Sequence, residues 1–228
     1  CTNLNLKPGD NVLDIGCGWG GFLEYAAKRR GVNLTGITIS EEQYRYAKER
    51  IFKAKLNDKV KILKKDYRDE KNKYDAIASI EMFEAVGEKY WPVYFDVLKG
   101  CMKPNSKAAL QIITISNELF LEYRKKVDFI QKYIFPGGML PSEKELKKEF
   151  DRIGFILTNK QELTKSYSST LNLWYKSFNN KWTDIAPLGF DERFKRMWNF
   201  YFASCSALFS NEICQVVQYT ISNKHLPT

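Results

Sequence analysis

The sequence predicts an α/β fold: a doubly wound, Rossmann-like sheet with an inserted helical cap. Three observations carry this. The apolar run Val12-Leu13-Asp14-Ile15 breaks into Gly16-Cys17-Gly18-Trp19-Gly20-Gly21, with four glycines in six residues, and a helical pattern follows. Strand, glycine turn, helix is the geometry with which doubly wound sheets cradle a nucleotide or nucleoside. Glycine suits the turn because it accepts positive φ and lets a ligand touch backbone. Second, short β-type runs alternate with helical periodicity as far as Ile115, which argues for a parallel sheet with helices on both faces. Third, the pattern turns mainly helical after Ile115. The spacing Gly-x-Gly-x-Gly differs from the Gly-x-Gly-x-x-Gly of NAD enzymes.

In order, Lys7-Pro8-Gly9-Asp10 is a turn before the first strand, and a helix follows over 19–30. Strand two spans 32–39. Ser40, with Gln43 three residues on, reads as a capping box opening a helix to Ala54. Strand three covers 59–65 and strand four 74–80. A helix over 88–102 stops at Lys103-Pro104-Asn105-Ser106, and strand five spans 108–115. Beyond it come a helix over 117–131, the turn Pro136-Gly137-Gly138-Met139-Leu140-Pro141, and a helix from Ser142 to Ile153. A sixth strand over 156–163 and a helix over 171–182 precede the amphipathic helix 191–209. There Phe194, Trp198, Tyr201, Phe202, Cys205 and Phe209 recur every three or four residues, as core positions do. Strand 214–222 closes a single domain. Its core comprises 1–116, 156–163 and 214–222, and its cap 117–155 and 164–213.

The 228 residues suffice for one α/β domain with a full core. Mean hydropathy is −0.43, and no apolar run approaches the roughly 20 residues that span a bilayer. The chain lacks a starting Met and enters its first strand almost at once, so a fragment of a longer protein is expected. The formal charge of +9 suits an anionic partner. With no nucleic-acid module in the sequence, an anionic membrane is favoured over nucleic acid. Five cysteines without a Cys-x-x-Cys indicate neither a zinc ribbon nor a disulfide framework, and suit a reducing cytoplasm. The single histidine, His225, sits in a polar tail. That argues against a His base, a His metal cluster or a Ser-His pair, and no metal site is expected.

The wording of several segments is more specific. Val12 to Gly21, Thr35-Gly36-Ile37-Thr38-Ile39-Ser40-Glu41-Glu42-Gln43 and Met82-Phe83-Glu84-Ala85-Val86-Gly87 resemble S-adenosylmethionine (SAM) methyltransferases of the cyclopropane-fatty-acid synthase family. So do Lys132 to Ser142 and Tyr167-Ser168-Ser169-Thr170-Leu171. The resemblance covers nearly the whole chain. It implies a class I SAM-dependent methyltransferase sheet, with SAM as cofactor and bicarbonate as an additional ligand acting as general base.

The rule that ligands sit at the carboxyl ends of strands places Gly16, Gly18, Thr38, Asp66, Tyr67, Ile80 and Glu84 around one crevice. The resemblance implies that Thr38 and Gln43 hold the ribose, although Gln43 is equally open to a capping role. Tyr67 and Ile80 match positions flanking the adenine, and Asp14, Cys17, Ile39 and Asp66 join the cofactor set. Glu84, Tyr167 and the Ile113 carbonyl match groups that hold the bicarbonate. Glu84 also suits a purely structural role as acceptor for the turn after it. The family's histidine falls on Gln111, and its Met-Phe-Glu-His reads Met-Phe-Glu-Ala here. The family's cysteine belongs to a segment upstream of Cys1.

The chemistry implied is methyl transfer to a poor alkene nucleophile, which leaves a carbocation that must be kept from water until it loses a proton. Phe83, Tyr133, Phe135, Tyr167 and Trp174 are candidates for an apolar lining. The expected substrate is an unsaturated phospholipid acyl chain in an anionic membrane, reached by peripheral attachment at the cytoplasmic surface. A homodimer is as open as a monomer. Two alternatives stand beside this: N-methylation of a small amine, and a catalytically impaired paralogue that binds SAM or lipid.

Overall fold

The computed structural model describes residues 1–223; His225 and the tail around it lie outside them. Strands β1 (Asn11–Ile15), β2 (Asn33–Thr38), β3 (Val60–Lys64) and β4 (Tyr74–Ile80) alternate with helices α1 (Gly21–Arg30) and α2 (Glu41–Lys53). Helix α3 (Trp91–Cys101) then leads into β5 (Met102–Ile115). Helices α4 (Asn117–Tyr123), α5 (Phe129–Tyr133) and α6 (Glu143–Ile153) come next, followed by β6 (Ile156–Glu162). The chain ends with α7 (Thr164–Asn180), α8 (Trp182–Ile185), α9 (Glu192–Ser210) and β7 (Cys214–Ser222). The seven strands form one sheet in the order β3-β2-β1-β4-β5-β7-β6. Strands β1 to β5 pair in parallel. The chain therefore starts at β1 in the middle, winds out to β3, and returns to β4 on the other side. That reversal creates the switch point where such sheets bind ligands.

The described residues divide into two compact units: residues 1–112, 144–161 and 218–223, and residues 113–143 with 162–217. The core of the first is built on β1 and β2, where Val12, Leu13, Leu34 and Ile37 are buried; Leu23 and Ala26 of α1 and Ile51 of α2 cluster with Val12 and Leu34. That of the second gathers Leu171, Phe202, Cys205, Phe209, Cys214 and Val216. Helix α6, expected in the cap, belongs to the first unit, where its Phe150 meets Phe95 and Tyr219 ring edge to ring face.

Three expected elements differ. The helix expected over 117–131 is two helices, because the Asp128 carboxylate accepts from the Gln131 N–H while the Gln131 amide accepts from the Asp128 N–H. This reciprocal cap starts α5 afresh. Strand β5 begins at Met102 instead of 108, since Met102 registers with Tyr74, and Asn105 and Ser106 exchange backbone hydrogen bonds with Asn223. Asn105 absorbs the irregularity at a φ of +60°. Helix α7 begins at Thr164, earlier than the expected 171, which puts Tyr167 on a helix. Among the described residues no helix is long and apolar enough to cross a membrane.

Candidate functional site

A cleft of about 380 Å³ opens at the carboxyl ends of β1 to β4 in the first unit. Its wall begins at the turn after β1. The N–H groups of Gly16 and Cys17 both donate to the Ile37 carbonyl at 3.0 Å, which fastens this turn to the end of β2. Gly16 has a φ of +76°, and a Cβ there would stand 2.5 Å from the Met82 Cγ. Only glycine lets the turn lie this close to the segment after β4.

Thr38 ends β2 and Gln43 lies in the first turn of α2. The Thr38 hydroxyl donates to Gln43 Oε1 at 2.8 Å and accepts the Ser40 N–H at 3.2 Å. Ser40 caps the helix by accepting the Gln43 N–H. The Gln43 side chain is thus drawn to Thr38 at the cleft, and does not close a capping box.

After β3, Asp66 accepts three hydrogen bonds from Arg68. One comes from the backbone N–H at 2.9 Å, and two come from the guanidinium at 2.9 and 2.6 Å. The guanidinium holds the Asp66 carboxyl below the usual carboxylate range. Asp66 therefore faces the cleft as an anion, and the Arg68 guanidinium lies over the Tyr90 ring at 5.9 Å. Behind them Glu70 is buried. It accepts from the N–H groups of Lys71 and Asn72 and pairs with Lys65, a cleft residue, at 3.1 Å. Burial pushes the Glu70 carboxyl up, but those hydrogen bonds outweigh it and the net shift is downward.

Past β4, Glu81 has a φ of +52°. Its N–H donates to the Gln111 carbonyl at 2.9 Å, and its carboxylate accepts from Gln111 Nε2 at 2.7 Å. Gln218 Nε2 in turn donates to Gln111 Oε1 at 2.8 Å. Gln111, expected at the place of the family's histidine, is therefore oriented from both sides.

Of the expected cofactor residues, Gly16, Thr38, Ile39, Gln43, Asp66 and Tyr67 line the cleft. Asp14, Cys17, Gly18 and Ile80 do not. Asp14 and Cys17 are buried in and below the turn, with burial pushing the Cys17 thiol up to about 12. Gly18 has a φ of +53° and open space where a Cβ would stand. Ile80 is exposed, and Glu81 and Met82 take the cleft position beyond it. Lys65, Arg68, Glu81 and Tyr90 were not anticipated. The Asp66-Tyr67-Arg68 wording could have disclosed Arg68, since a side chain two residues on reaches back to the carboxylate.

The expected base-holding groups are divided between the units. Glu84 lies in the first, on the short 3₁₀ turn Phe83–Ala85, and does not line the cleft, whereas its neighbours Ala85 and Val86 do. Its charge adds to the burial that raises the phenol of Tyr94. Ile113 and Tyr167 lie in the second unit, where the Tyr167 ring meets Phe209 at 5.0 Å and Trp174 at 6.2 Å. Phe83, expected in an apolar lining, is instead a core residue packed on Trp91, Tyr94 and Phe95. Tyr133, Phe135 and Trp174 are exposed.

The profile of the mycolic acid cyclopropane synthetase family matches residues 1–219. The chain belongs to this family. A tuberculostearic acid methyltransferase of Mycobacterium tuberculosis is 38% identical over 97% of the chain and 52% of its own length. A cyclopropane-fatty-acyl-phospholipid synthase of Escherichia coli K12 is 38% identical over 97% of the chain and 56% of its length. The chain thus spans about half the length of the curated relatives it matches. Among solved structures, the cyclopropane synthase MmaA2 of M. tuberculosis superposes with a TM-score of 0.89 at 26% identity, over 97% of this chain and 80% of that one. The mycolic acid cyclopropane synthase CmaA1 matches with the same TM-score and coverage, and was solved with SAH and CTAB. This is a SAM-dependent methyltransferase family, and the cleft fits the cofactor. It offers a polar pair at the end of β2, a fixed carboxylate after β3, the Tyr67 ring, and a turn that admits close approach.

Proposed function

We propose that the protein transfers the methyl carbon of SAM to the double bond of an unsaturated phospholipid acyl chain, yielding a cyclopropane or methyl-branched chain. The observation that carries the reading is the cofactor cleft, whose polar groups converge at the switch point in a chain 38% identical to a phospholipid cyclopropane synthase. When bound, SAM supplies an electrophilic methyl carbon on a sulfonium. Thr38 and Gln43 offer hydroxyl and amide groups to the ribose hydroxyls. Asp66, kept anionic by Arg68, accepts from the amine of the base. An alkene is a weak nucleophile, so the chain's main contribution is alignment. The cation formed on the acyl chain must then be kept dry until it gives up a proton. Glu84, on the short turn whose next residues Ala85 and Val86 line the cleft, is the group of the first unit that we assign to that end of the site. The formal charge of +9 supports peripheral attachment to anionic lipid at the cytoplasmic surface.

The test incubates the full-length natural protein with methyl-labelled SAM and either vesicles of unsaturated anionic phospholipid or a set of soluble amines. Mass spectrometry then follows the label. Labelled acyl chains are expected, and replacing Glu84 with Gln should remove most of the activity. Label appearing only in an amine, or in nothing, overturns the reading.

A further inference from the structure

The residue that remains unexplained is Glu81. It lines the cleft directly after β4, and it holds a left-handed backbone at φ +52°, a conformation costly for any residue with a side chain. Backbone and side chain are both tied to Gln111, on the adjacent strand β5. The Gln111 amide has one possible orientation here. A carboxylate only accepts, so an N–H must face Glu81, and the Gln111 carbonyl receives the N–H of Gln218 from β7. A relay across three strands thus fixes the carboxylate of a residue that lines the cofactor cleft. Both amides of the relay are neutral and cannot take up a proton themselves. One Gln111 N–H is committed to Glu81, which leaves a single neutral N–H where a histidine could offer a charged donor.

We infer that Glu81 is the proton acceptor of the reaction, doing the work that a captured bicarbonate would otherwise do, with Gln111 and Gln218 as positioning residues. The inference rests on the methyl-transfer reading above. Transfer of the methyl to one alkene carbon leaves positive charge on the other. The Glu81 carboxylate takes a proton from the new methyl group, and the electron pair of the broken C–H bond forms the C–C bond that closes the ring. Taking the proton from a neighbouring chain carbon instead leaves a methyl-branched alkene. Either way Glu81 becomes a carboxylic acid and returns its proton to solvent.

The test compares wild type with Glu81→Gly and Glu81→Gln. Glycine accepts the left-handed φ without cost, so Glu81→Gly removes the carboxylate and leaves the turn intact. Glutamine keeps an acceptor oxygen for Gln111 and cannot act as base. Three readouts are taken: NMR titration with ¹³C-bicarbonate in the presence of S-adenosylhomocysteine, acyl products in bicarbonate-depleted buffer, and calorimetric affinity for S-adenosylhomocysteine. Wild type should show no saturable bicarbonate binding and no dependence on it. Glu81→Gln should lose about 100-fold in turnover with cofactor affinity within about threefold, and formate or bicarbonate should restore Glu81→Gly about tenfold. Bicarbonate-dependent wild type, a fully active Glu81→Gln, or a Glu81→Gly that no small anion rescues would overturn the inference. If wild type labels a soluble acceptor instead of acyl chains, the lipid reading fails and the same variants assayed on that acceptor decide Glu81. If wild type labels nothing, bicarbonate binding that appears only in Glu81→Gly supports the assignment, and its absence overturns it.

Discussion

Asp14 is the residue whose proton affinity folding changes most usefully. It sits inside β1, in register with Gly36 on one side and Ala78 on the other, and is 2% exposed. Burial pushes its carboxyl from 3.8 up to about 7. Below pH 4 both folded and unfolded chains hold this proton, so it does not affect stability. Between pH 4 and 7 only the unfolded chain releases it, so stability falls as pH rises, and it levels off above 7. At about 1.4 kcal/mol per pH unit the loss is on the order of 4 kcal/mol. Denaturant unfolding at pH 5 and pH 8 should show Asp14→Asn gaining on wild type at the higher pH. A difference between the two proteins that does not change with pH would mean that Asp14 ionises in the fold without penalty.

At the scale of an element, the turn after β1 joins three strands' worth of constraint. It is bonded to the Ile37 carbonyl of β2 and packed on Met82 beyond β4. Two of its glycines separate backbone strain from contact. Gly18 has positive φ but open space around a Cβ, so Gly18→Ala meets strain alone, about 1 kcal/mol. Gly16 has positive φ and Met82 side-chain atoms at 2.5 and 2.8 Å from a Cβ. Gly16→Ala must also displace Met82, and is expected to cost about 2–4 kcal/mol and to weaken S-adenosylhomocysteine binding by more than about tenfold. Urea unfolding and calorimetry measure both effects. Equal stability of the two variants would refute the close-approach argument.

For the whole molecule, charge is the property that counts. The formal charge is +9, yet several members of the basic run over 53–73 are already paired: Lys53 with Glu49, Lys64 with Glu41, Lys65 with Glu70 and Arg68 with Asp66. Exposed pairs contribute little to stability, but they reduce the field felt at a distance. The attraction to an anionic surface that we propose would therefore be a long-range effect of net charge. Co-sedimentation with anionic phospholipid vesicles should be substantial at about 0.05 M salt and largely lost by about 0.5 M, where the Debye length falls well below 10 Å. Binding that ignores salt would point to apolar insertion instead, for which the exposed Leu121, Phe135, Leu173 and Phe200 would be the groups to replace.

What the sequence determined by itself was local. The glycine turn and the strands 74–80 and 214–222 were legible because their physics acts over a few residues: positive φ, and short apolar runs bounded by turn residues; Thr38 and Gln43 were named by the family resemblance, and their mutual hydrogen bond was not. Tertiary structure decided the rest. Phe83 read as a candidate for the lining because it sits beside Glu84, but packing against Trp91, Tyr94 and Phe95 makes it core. Gln111 was placed at the family's histidine by the resemblance alone, and its hydrophobic sequence neighbours disclose none of its partners. Its partners, Glu81 and Gln218, lie 30 and 107 residues away and meet it because the sheet order sets β4 and β7 on either side of β5. Strand adjacency in a doubly wound sheet follows topology, not sequence order, so a side-chain relay that crosses three strands has no signature along the chain.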